Sequence, residues 1–382
     1  MTAVTTIAAE RKLSPPRIAR GGWLDVLRFV VASMIVLYHF RMAAPLPLPE
    51  LHPVFERGYL LTNFFIIDSG YVLARIYSEK LAAQALPLGD FYRQRFLRVV
   101  PAHLVVSLAL AALVIGAAAI GISPSHPEWF SWSEFPAQLF LVQSYGVPGG
   151  EGWNAPTWTL SALLGCYLCL PVLSRIGHRL SPWSALIGSI AILLAANLAT
   201  QAWLGLPVYE MPLRFGFLRA LPLFVLGVGV AIFASRVYVR PRFAGWLGVG
   251  ALLLLVVAQT LGHFALLSLG LMTVIIIAAG ATPVRQPSKL IEHLALMSFS
   301  IFLTNEVVRI VWFGFFDVAG QTAWSSGLRW VVWSFGLVAA LIGAAGFRYL
   351  FDRPSQKWIG ALTQRGRNWR RPNLRTSPRE AR

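Results

Sequence analysis

The chain has 382 residues, of which 56% are hydrophobic and only 13% are charged. Soluble domains carry about twice that charged fraction, so the composition excludes an ordinary soluble protein and indicates an integral membrane protein. The formal net charge of +17 does not indicate nucleic-acid binding, because the basic residues cluster between apolar runs and near the C-terminus. Anionic phospholipid is the partner that this charge predicts, and no nucleic acid is expected.

Ten apolar segments recur along the chain, each close to the ~20 residues that a helix needs to cross a bilayer. They lie at about 23–42, 58–77, 97–120, 157–175, 183–203, 215–235, 243–262, 264–281, 294–316 and 327–350. The sequence therefore predicts an all-α, polytopic membrane protein with about ten transmembrane helices. Only Gly262 and His263 separate the seventh and eighth segments, so a tight turn is expected there.

The basic residues are distributed asymmetrically between the two sides of this topology. Most of the 33 lysines and arginines fall on the side that holds both termini, and few fall opposite: Arg41, Arg57, Arg214, Arg219 and Arg329. The positive-inside rule then places both termini in the cytoplasm. Residues 1–20 are expected to form a cytoplasmic segment without a cleavable signal pattern, residues 21–358 the transmembrane domain, and residues 359–382 a basic, disordered cytoplasmic tail.

The first predicted helix contains Arg28 and His39, eleven residues apart. Eleven residues make about three turns, so both side chains fall on one helix face, ~16 Å apart along the axis. Asp25 precedes Arg28 by three residues and can neutralise it. Ionisable groups inside a span usually face a partner or a water-filled cavity, which predicts a polar column along a reaction path. Alternatively, Asp25 and Arg28 anchor the helix at the interface, and His39 is a satisfied interfacial group.

Three arginines gather where the third predicted helix begins on the cytoplasmic side. Arg95 and Arg98 are three residues apart and Arg93 is close by, so a helical start brings their guanidinium groups together. Such a cluster near a helix N-terminus suits phosphate groups. The alternative is a cationic anchor to anionic lipid.

Polar residues also mark the outer start of the fourth predicted helix. Trp158 offers a stacking face for a sugar, and Ser161 offers a hydroxyl. The alternative is a helix cap with an aromatic residue at the membrane interface.

The second and ninth predicted helices contain polar breaks of their own. Asp68 and Ser69 interrupt the second helix, and Asn305 and Glu306 interrupt the ninth, with Arg309 placed to pair with Glu306. Each break is also compatible with a simple contact between helices.

Together and in this order, these segments resemble the membrane-bound acyltransferase-3 family, whose members O-acylate sugars of exopolysaccharides and related glycans. The resemblance runs from about Trp23 to Trp358. It rests on the spacing of Arg28 and His39 and on the segments 24–28, 64–71, 91–101, 219–227, 298–304 and 352–354. Three positions depart from the family pattern: Leu163 replaces a glutamate, Asn63 an aspartate and Asn305 a histidine. Glu151, in the preceding loop, is a candidate substitute for the missing glutamate.

The resemblance implies a transferase that moves an acyl group, acetyl by default, from cytoplasmic acyl-CoA to a hydroxyl of a glycan or lipid-linked sugar. It implies a multi-pass protein of the bacterial inner membrane that binds acyl-CoA as co-substrate, with no bound cofactor and no metal. His39 is expected to act as general base, with Arg28 positioning or polarising the acyl donor. The other expected roles are CoA phosphate binding by Arg95, Arg98 and Arg93, substrate binding by Ser69, Trp158 and Ser161, and support from Asp25 and Asn305.

Two other functions remain open from the sequence. A transporter or flippase for a polysaccharide intermediate could use the same fold without catalysis, and Leu163 is its best support. A scaffold in a polysaccharide-export complex would tolerate the loss of Arg28, Arg95 and Arg98.

Overall fold

The computed structural model describes residues 20–124, 126–148, 151–284 and 286–369. Within these ranges the protein is helical and contains no β-strand. We number the long helices in chain order. They are α1 (Trp23–Phe40), α2 (Tyr59–Ala82), α3 (Leu88–Ala119), α4 (Trp158–Arg179), α5 (Pro182–Leu204), α6 (Gly216–Arg236), α7 (Pro241–Leu261), α8 (Ala265–Ala281), α9 (Lys289–Val318), α10 (Ser326–Phe347) and α11 (Arg353–Trp369).

The ten predicted apolar segments coincide in order with α1 to α10. By length and composition, eight helices in the described ranges could cross a membrane, namely all of these except α2 and α8. The 24-residue α2 is interrupted by charged residues such as Asp68 and Arg75, and α8 has only 17 residues. An all-α polytopic membrane protein is thus confirmed, while the number of spans and the side of the termini stay predictions.

Helix α6 lies at the centre of the bundle and packs against α2, α4 and α5. The crossing of α6 with α2 requires glycine on both helices. A Cβ at Gly227 would lie 2.1 Å from the Ile67 carbonyl oxygen, and one at Gly70 would lie 2.3 Å from the Phe224 carbonyl oxygen. The two backbones are therefore in direct contact, which fixes α2 and its Asp68 inside the bundle.

Helix α1 packs mainly against α9 and also contacts α2. Its buried apolar residues Ile35, Val36 and Phe40 belong to the core, and the Trp333 indole N–H donates to the Phe40 carbonyl oxygen at 3.0 Å. With this apolar face seated in the core, the polar residues of α1 meet the polar breaks of α2 and α9.

A π-helical turn, Arg348–Asp352, joins α10 to α11 and buries Asp352 completely. Helix α11 then continues to Trp369, so the chain is helical past the predicted boundary at residue 359. The rest of the predicted tail, 370–382, lies outside the described residues, as do residues 1–19 of the predicted N-terminal segment.

The loop before α4 contains a short helix, Phe135–Leu139. Pro136 is its second residue, and Leu141, two residues after its end, has a left-handed φ of 55°. A leucine in that region is strained unless its surroundings hold it there. The Ser161 hydroxyl supplies one such restraint, because it donates to the Leu141 carbonyl oxygen at 2.7 Å.

Candidate active site

Arg28 lies between two buried carboxylates. Its Nε donates to Asp68 Oδ2 at 2.7 Å, and its Nη1 donates to Asp25 Oδ1 at 3.0 Å. The second Asp25 oxygen accepts the backbone N–H of Gly21 at 2.7 Å. The predicted pairing with Asp25 is confirmed. The additional bond to Asp68 joins α1 to α2, which a simple interfacial anchor does not require.

His39 is held by Asn305 of α9. The distance from His39 Nδ1 to Asn305 Oδ1 is 2.6 Å. Asn305 Nδ2 donates to the carbonyl oxygens of Ile301 and Phe302, so Oδ1 is the amide atom that faces the imidazole. Because an amide oxygen only accepts hydrogen bonds, Nδ1 of the neutral ring carries the proton and Nε2 carries the lone pair. Nε2 is therefore the atom that can take a proton from a substrate.

An ion pair lies behind this histidine. Glu306 and Arg309 form the bidentate pair that their spacing predicts, with bonds of 3.0 and 2.5 Å. Glu306 Oε2 lies 3.8 Å from His39 Nδ1. A carboxylate at that distance stabilises positive charge on the imidazole, as proton abstraction requires. Arg309 also borders a pocket of about 390 Å³ at the predicted outer end of the bundle.

The exposure of these side chains separates two groups. Arg28 and His39 are 25% and 17% exposed, whereas the carboxylates of Asp25 and Asp68 are 8% and 4% exposed. The orienting carboxylates are thus covered more completely by protein than the two predicted reactive groups. This division is the one expected for a site whose support is rigid.

The arginines at the predicted cytoplasmic end have separate partners. Arg98 Nη1 donates to Asp352 Oδ1 at 2.7 Å, and Arg348 binds the other Asp352 oxygen. Arg95 donates to the Tyr77 hydroxyl at 2.9 Å, and its buried Nε has no hydrogen-bond partner. Since each guanidinium has five N–H donors, both arginines keep donors for a ligand.

Arg93 lies at the same end of the bundle, near the start of α3, whereas Ser69 lies near the middle of α2. Arg93 is the most exposed of the three arginines, and it pairs with Asp90 of its own helix at 3.2 Å. Ser69 lies beside the Tyr167 side chain of α4. The substrate-binding roles of both residues stay predictions.

The two predicted substrate residues of α4 are buried. One face of Trp158 is covered by Arg219, whose Cζ lies 4.8 Å from the ring centroid. Ser161 is fully buried, and its hydroxyl is engaged by Leu141, as described above. Leu163 lies in the apolar core, so no carboxylate occupies the family's glutamate position. Glu151, its candidate substitute, is instead exposed in the loop.

A second pocket of about 560 Å³ opens at the predicted outer end; we call it the outer pocket. Its lining combines both signs of charge with aromatic and apolar groups: Pro53, Glu56, Arg57, Tyr59, Glu151, Glu210, Met211, Pro212, Leu213, Arg219 and His263. For metals, the described residues contain no group of three or more His, Cys, Asp or Glu side chains able to hold an ion.

Three contributors to this architecture were not assigned from the sequence. The sequence marks Asp68 only as a polar break, Asp352 only as part of a motif segment, and Arg219 only as an outer arginine within such a segment. A charged residue inside an apolar span is costly, so the sequence indicates that each of these residues has a partner. It does not indicate which residue that partner is.

These features define an integral membrane protein with a polar site built across its central helices. The family model described as acyltransferase domain (acyltransferase family 3) matches residues 22–349. The chain therefore belongs to the membrane-bound acyltransferase-3 family, which confirms the resemblance.

Two curated relatives are similar to parts of the chain. The acyltransferase MdmB of Streptomyces mycarofaciens is 28% identical over 174 residues, which are 44% of this chain and 42% of that protein. The Na(+)/H(+) antiporter NhaA of Rhodopirellula baltica is 34% identical over 166 residues, which are 42% of this chain and 33% of that protein. The chain thus spans less than half the length of either relative. No solved structure matches it.

Proposed function

We propose that the protein is an O-acyltransferase that moves an acyl group, acetyl by default, from cytoplasmic acyl-CoA to a hydroxyl of a glycan or lipid-linked sugar. The observation that carries this proposal is the oriented His39, whose Nδ1 is held by Asn305 Oδ1, so that the neutral ring presents Nε2 as its proton acceptor. The membership of the acyltransferase family supports the class of reaction. The positive-inside distribution supports a bacterial inner-membrane location with both termini in the cytoplasm.

In the proposed reaction, Nε2 of His39 removes the proton of an acceptor hydroxyl as its oxygen attacks the thioester carbonyl carbon. The C–S bond then breaks, the CoA thiolate leaves, and the proton on His39 returns to the sulfur. Glu306, next to the imidazole, stabilises the transient imidazolium. The products are an O-acyl ester and free CoA, and no cofactor or metal takes part.

Arg28 is assigned a positioning role in this scheme. Its guanidinium is bound to Asp25, one turn toward the N-terminus of α1, and therefore points away from His39. Residues 28 and 39 are ~16 Å apart along the helix axis. At that separation it does not reach the carbonyl on which His39 acts. It instead contacts the pantetheine arm of a donor that enters from the cytoplasmic end.

The cytoplasmic arginines are proposed to hold the CoA phosphates. We expect Arg95→Ala to raise KM for acyl-CoA about 10- to 100-fold, since a hydrogen bond to a charged group contributes about 1.5–3 kcal/mol. The value of kcat should change little, because the reacting atoms are distant. Initial rates against acyl-CoA concentration measure both constants. Arg179→Ala, also a cytoplasmic and exposed arginine, is the matched control. An unchanged KM in Arg95→Ala would contradict the phosphate role.

The alternative function is a non-catalytic transporter or flippase for a polysaccharide intermediate. The partial similarity to a protein named as an antiporter and the apolar Leu163 favour it. Purified protein incubated with radiolabelled acyl-CoA and candidate glycans separates the two functions. Label appears in the glycan only if the protein is a transferase. If the label stays in acyl-CoA and the glycan moves across the membrane of reconstituted vesicles, the protein is a transporter and our proposal is wrong.

A further inference from the structure

The floor of the outer pocket contains a buried cation without a counter-ion. Arg219 of α6 is 5% exposed, and it forms no ion pair with any residue that the structure describes. Its Nε has no hydrogen-bond partner, and its Nη2 makes one long contact of 3.5 Å with Asn63 Oδ1. The face of Trp158 lies against it, and Glu210 is near enough to act on it electrostatically without forming an ion pair.

Such a group is costly to bury. Removing a guanidinium from water without a paired anion is unfavourable, and a cation–π contact offsets only part of that cost. Asn63, next to Arg219, adds a second unused donor, because its buried Nδ2 also has no partner. Arg219 lines the pocket and Asn63 lies behind it, so a donor at the pocket and a donor next to it both lack acceptors, which indicates that a ligand supplies oxygen atoms to Arg219.

The other pocket beside this end of the bundle differs in this respect. Of its two arginines, Arg309 is already neutralised by the bidentate bond with Glu306, and Arg329 is only partly buried. Of the arginines that line these two pockets, Arg219 is the buried one that lacks an ion pair among the described residues.

The wall of the outer pocket, unlike its floor, carries carboxylates. Glu210 accepts a hydrogen bond from the Tyr59 hydroxyl at 2.7 Å, and that hydroxyl also lies 3.2 Å from His263 Nε2. Glu56 and Glu151 are exposed at the rim. Carboxylates with free lone pairs accept hydrogen bonds from hydroxyl groups, and the Tyr59 ring offers an apolar surface beside them.

We propose that the outer pocket is the acceptor subsite and that it binds an acidic sugar unit. The anionic oxygens, from a carboxylate or a phosphate, bind Arg219 at the floor, and the sugar hydroxyls bind the carboxylates of the wall. The pocket adjoins the end of α1 that carries His39, because the Tyr38 ring packs on Gly58, next to Tyr59. This inference rests on the proposed acyl transfer for its role and deepens it by naming the class of acceptor.

The test is equilibrium binding to the purified full chain in detergent, without any acyl donor. The probes are methyl glucuronide, glucose 6-phosphate and the neutral methyl glucoside, titrated by saturation-transfer difference NMR. At least one anionic probe should bind tenfold or more tightly than the glucoside, and the better of the two identifies the anionic group. Equal affinity for all three, or no binding of either anionic probe, would overturn the proposal.

Variants locate the site. Arg219→Gln should weaken binding of the anionic probe at least tenfold and leave the glucoside within threefold, whereas Arg219→Lys should retain part of the preference. Arg214→Gln, an exposed outer arginine that does not line the pocket, is the matched control. If Arg219→Gln does not fold, Glu210→Gln should weaken all three probes alike. Anionic binding that survives Arg219→Gln would contradict the assignment. Since no donor is present, a failure here is distinct from a failure of acyl transfer.

Discussion

Replacing His39 by alanine is expected to lower the rate of acyl transfer about 10²–10⁴-fold, the usual contribution of a positioned general base. The change removes the imidazole of α1, which Asn305 holds in one orientation. The side chain of this histidine is 17% exposed. Binding of acyl-CoA should persist, because the arginines proposed for its phosphates lie at the other end of the bundle. The measurement is glycan O-acylation in cells at equal protein level, followed by initial rates with purified protein.

The control for this variant is His178→Ala, which removes an exposed imidazole at the end of α4. That variant should transfer acyl groups as the parent protein does. Normal glycan acylation in His39→Ala at matched expression would refute the catalytic role. Reduced acylation together with poor membrane insertion would instead indicate a structural defect, so the protein level and the unfolding temperature are measured in parallel.

Substitutions of Asn305 test whether the orientation of the His39 imidazole matters for catalysis. Asn305→Ala should lower kcat about tenfold or more, because the ring then loses the bond that fixes its tautomer. The value of KM for acyl-CoA should stay near that of the parent protein. Asn305→His, which restores the family residue, should recover part of kcat if an Nδ1 acceptor is what His39 needs. Equal kcat in all three proteins would show that Asn305 only packs.

Local spacing predicted much of this site. Asp25 and Glu306 each lie three residues from an arginine on the same helix, and helical geometry alone brings such pairs together. The ten apolar segments likewise predicted α1 to α10, since a bilayer imposes a minimum length on each helix. These inferences need no knowledge of the bundle.

The contacts that cross between helices could not be predicted in this way. Asp68 meets Arg28 because glycines at positions 70 and 227 bring α2 into backbone contact with α6. Asp352 meets Arg98 because a π-helical turn aims it at α3, 254 residues away in sequence. A single sequence shows that a buried charge needs a partner, but tertiary packing selects which one.

Substitutions of Arg28 and Asp68 test whether the polar column only anchors α1 or takes part in the reaction. Asp68→Leu removes a carboxylate that is 4% exposed and leaves Arg28 with Asp25 alone. Breaking a buried pair in this way costs about 3–5 kcal/mol, and the remaining bond to Asp25 places the expected loss near the lower end. Unfolding in bicelles by steric trapping measures it, with Ser78→Ala on the same helix as a mild control.

The triple variant Asp25→Asn, Arg28→Met, Asp68→Leu separates stability from activity. It removes the arginine together with both of its carboxylates, so no buried charge of this cluster is left unpaired. Much of the lost stability should return, because side chains of similar volume without charge often replace a buried ion pair without cost. If the column only anchors α1, activity returns with stability. If Arg28 positions the acyl donor, the triple variant folds as the parent does and still transfers poorly, and this second result is the one we expect. A stable and fully active triple variant would reduce Arg28 to an anchor and leave His39 as the column's functional residue.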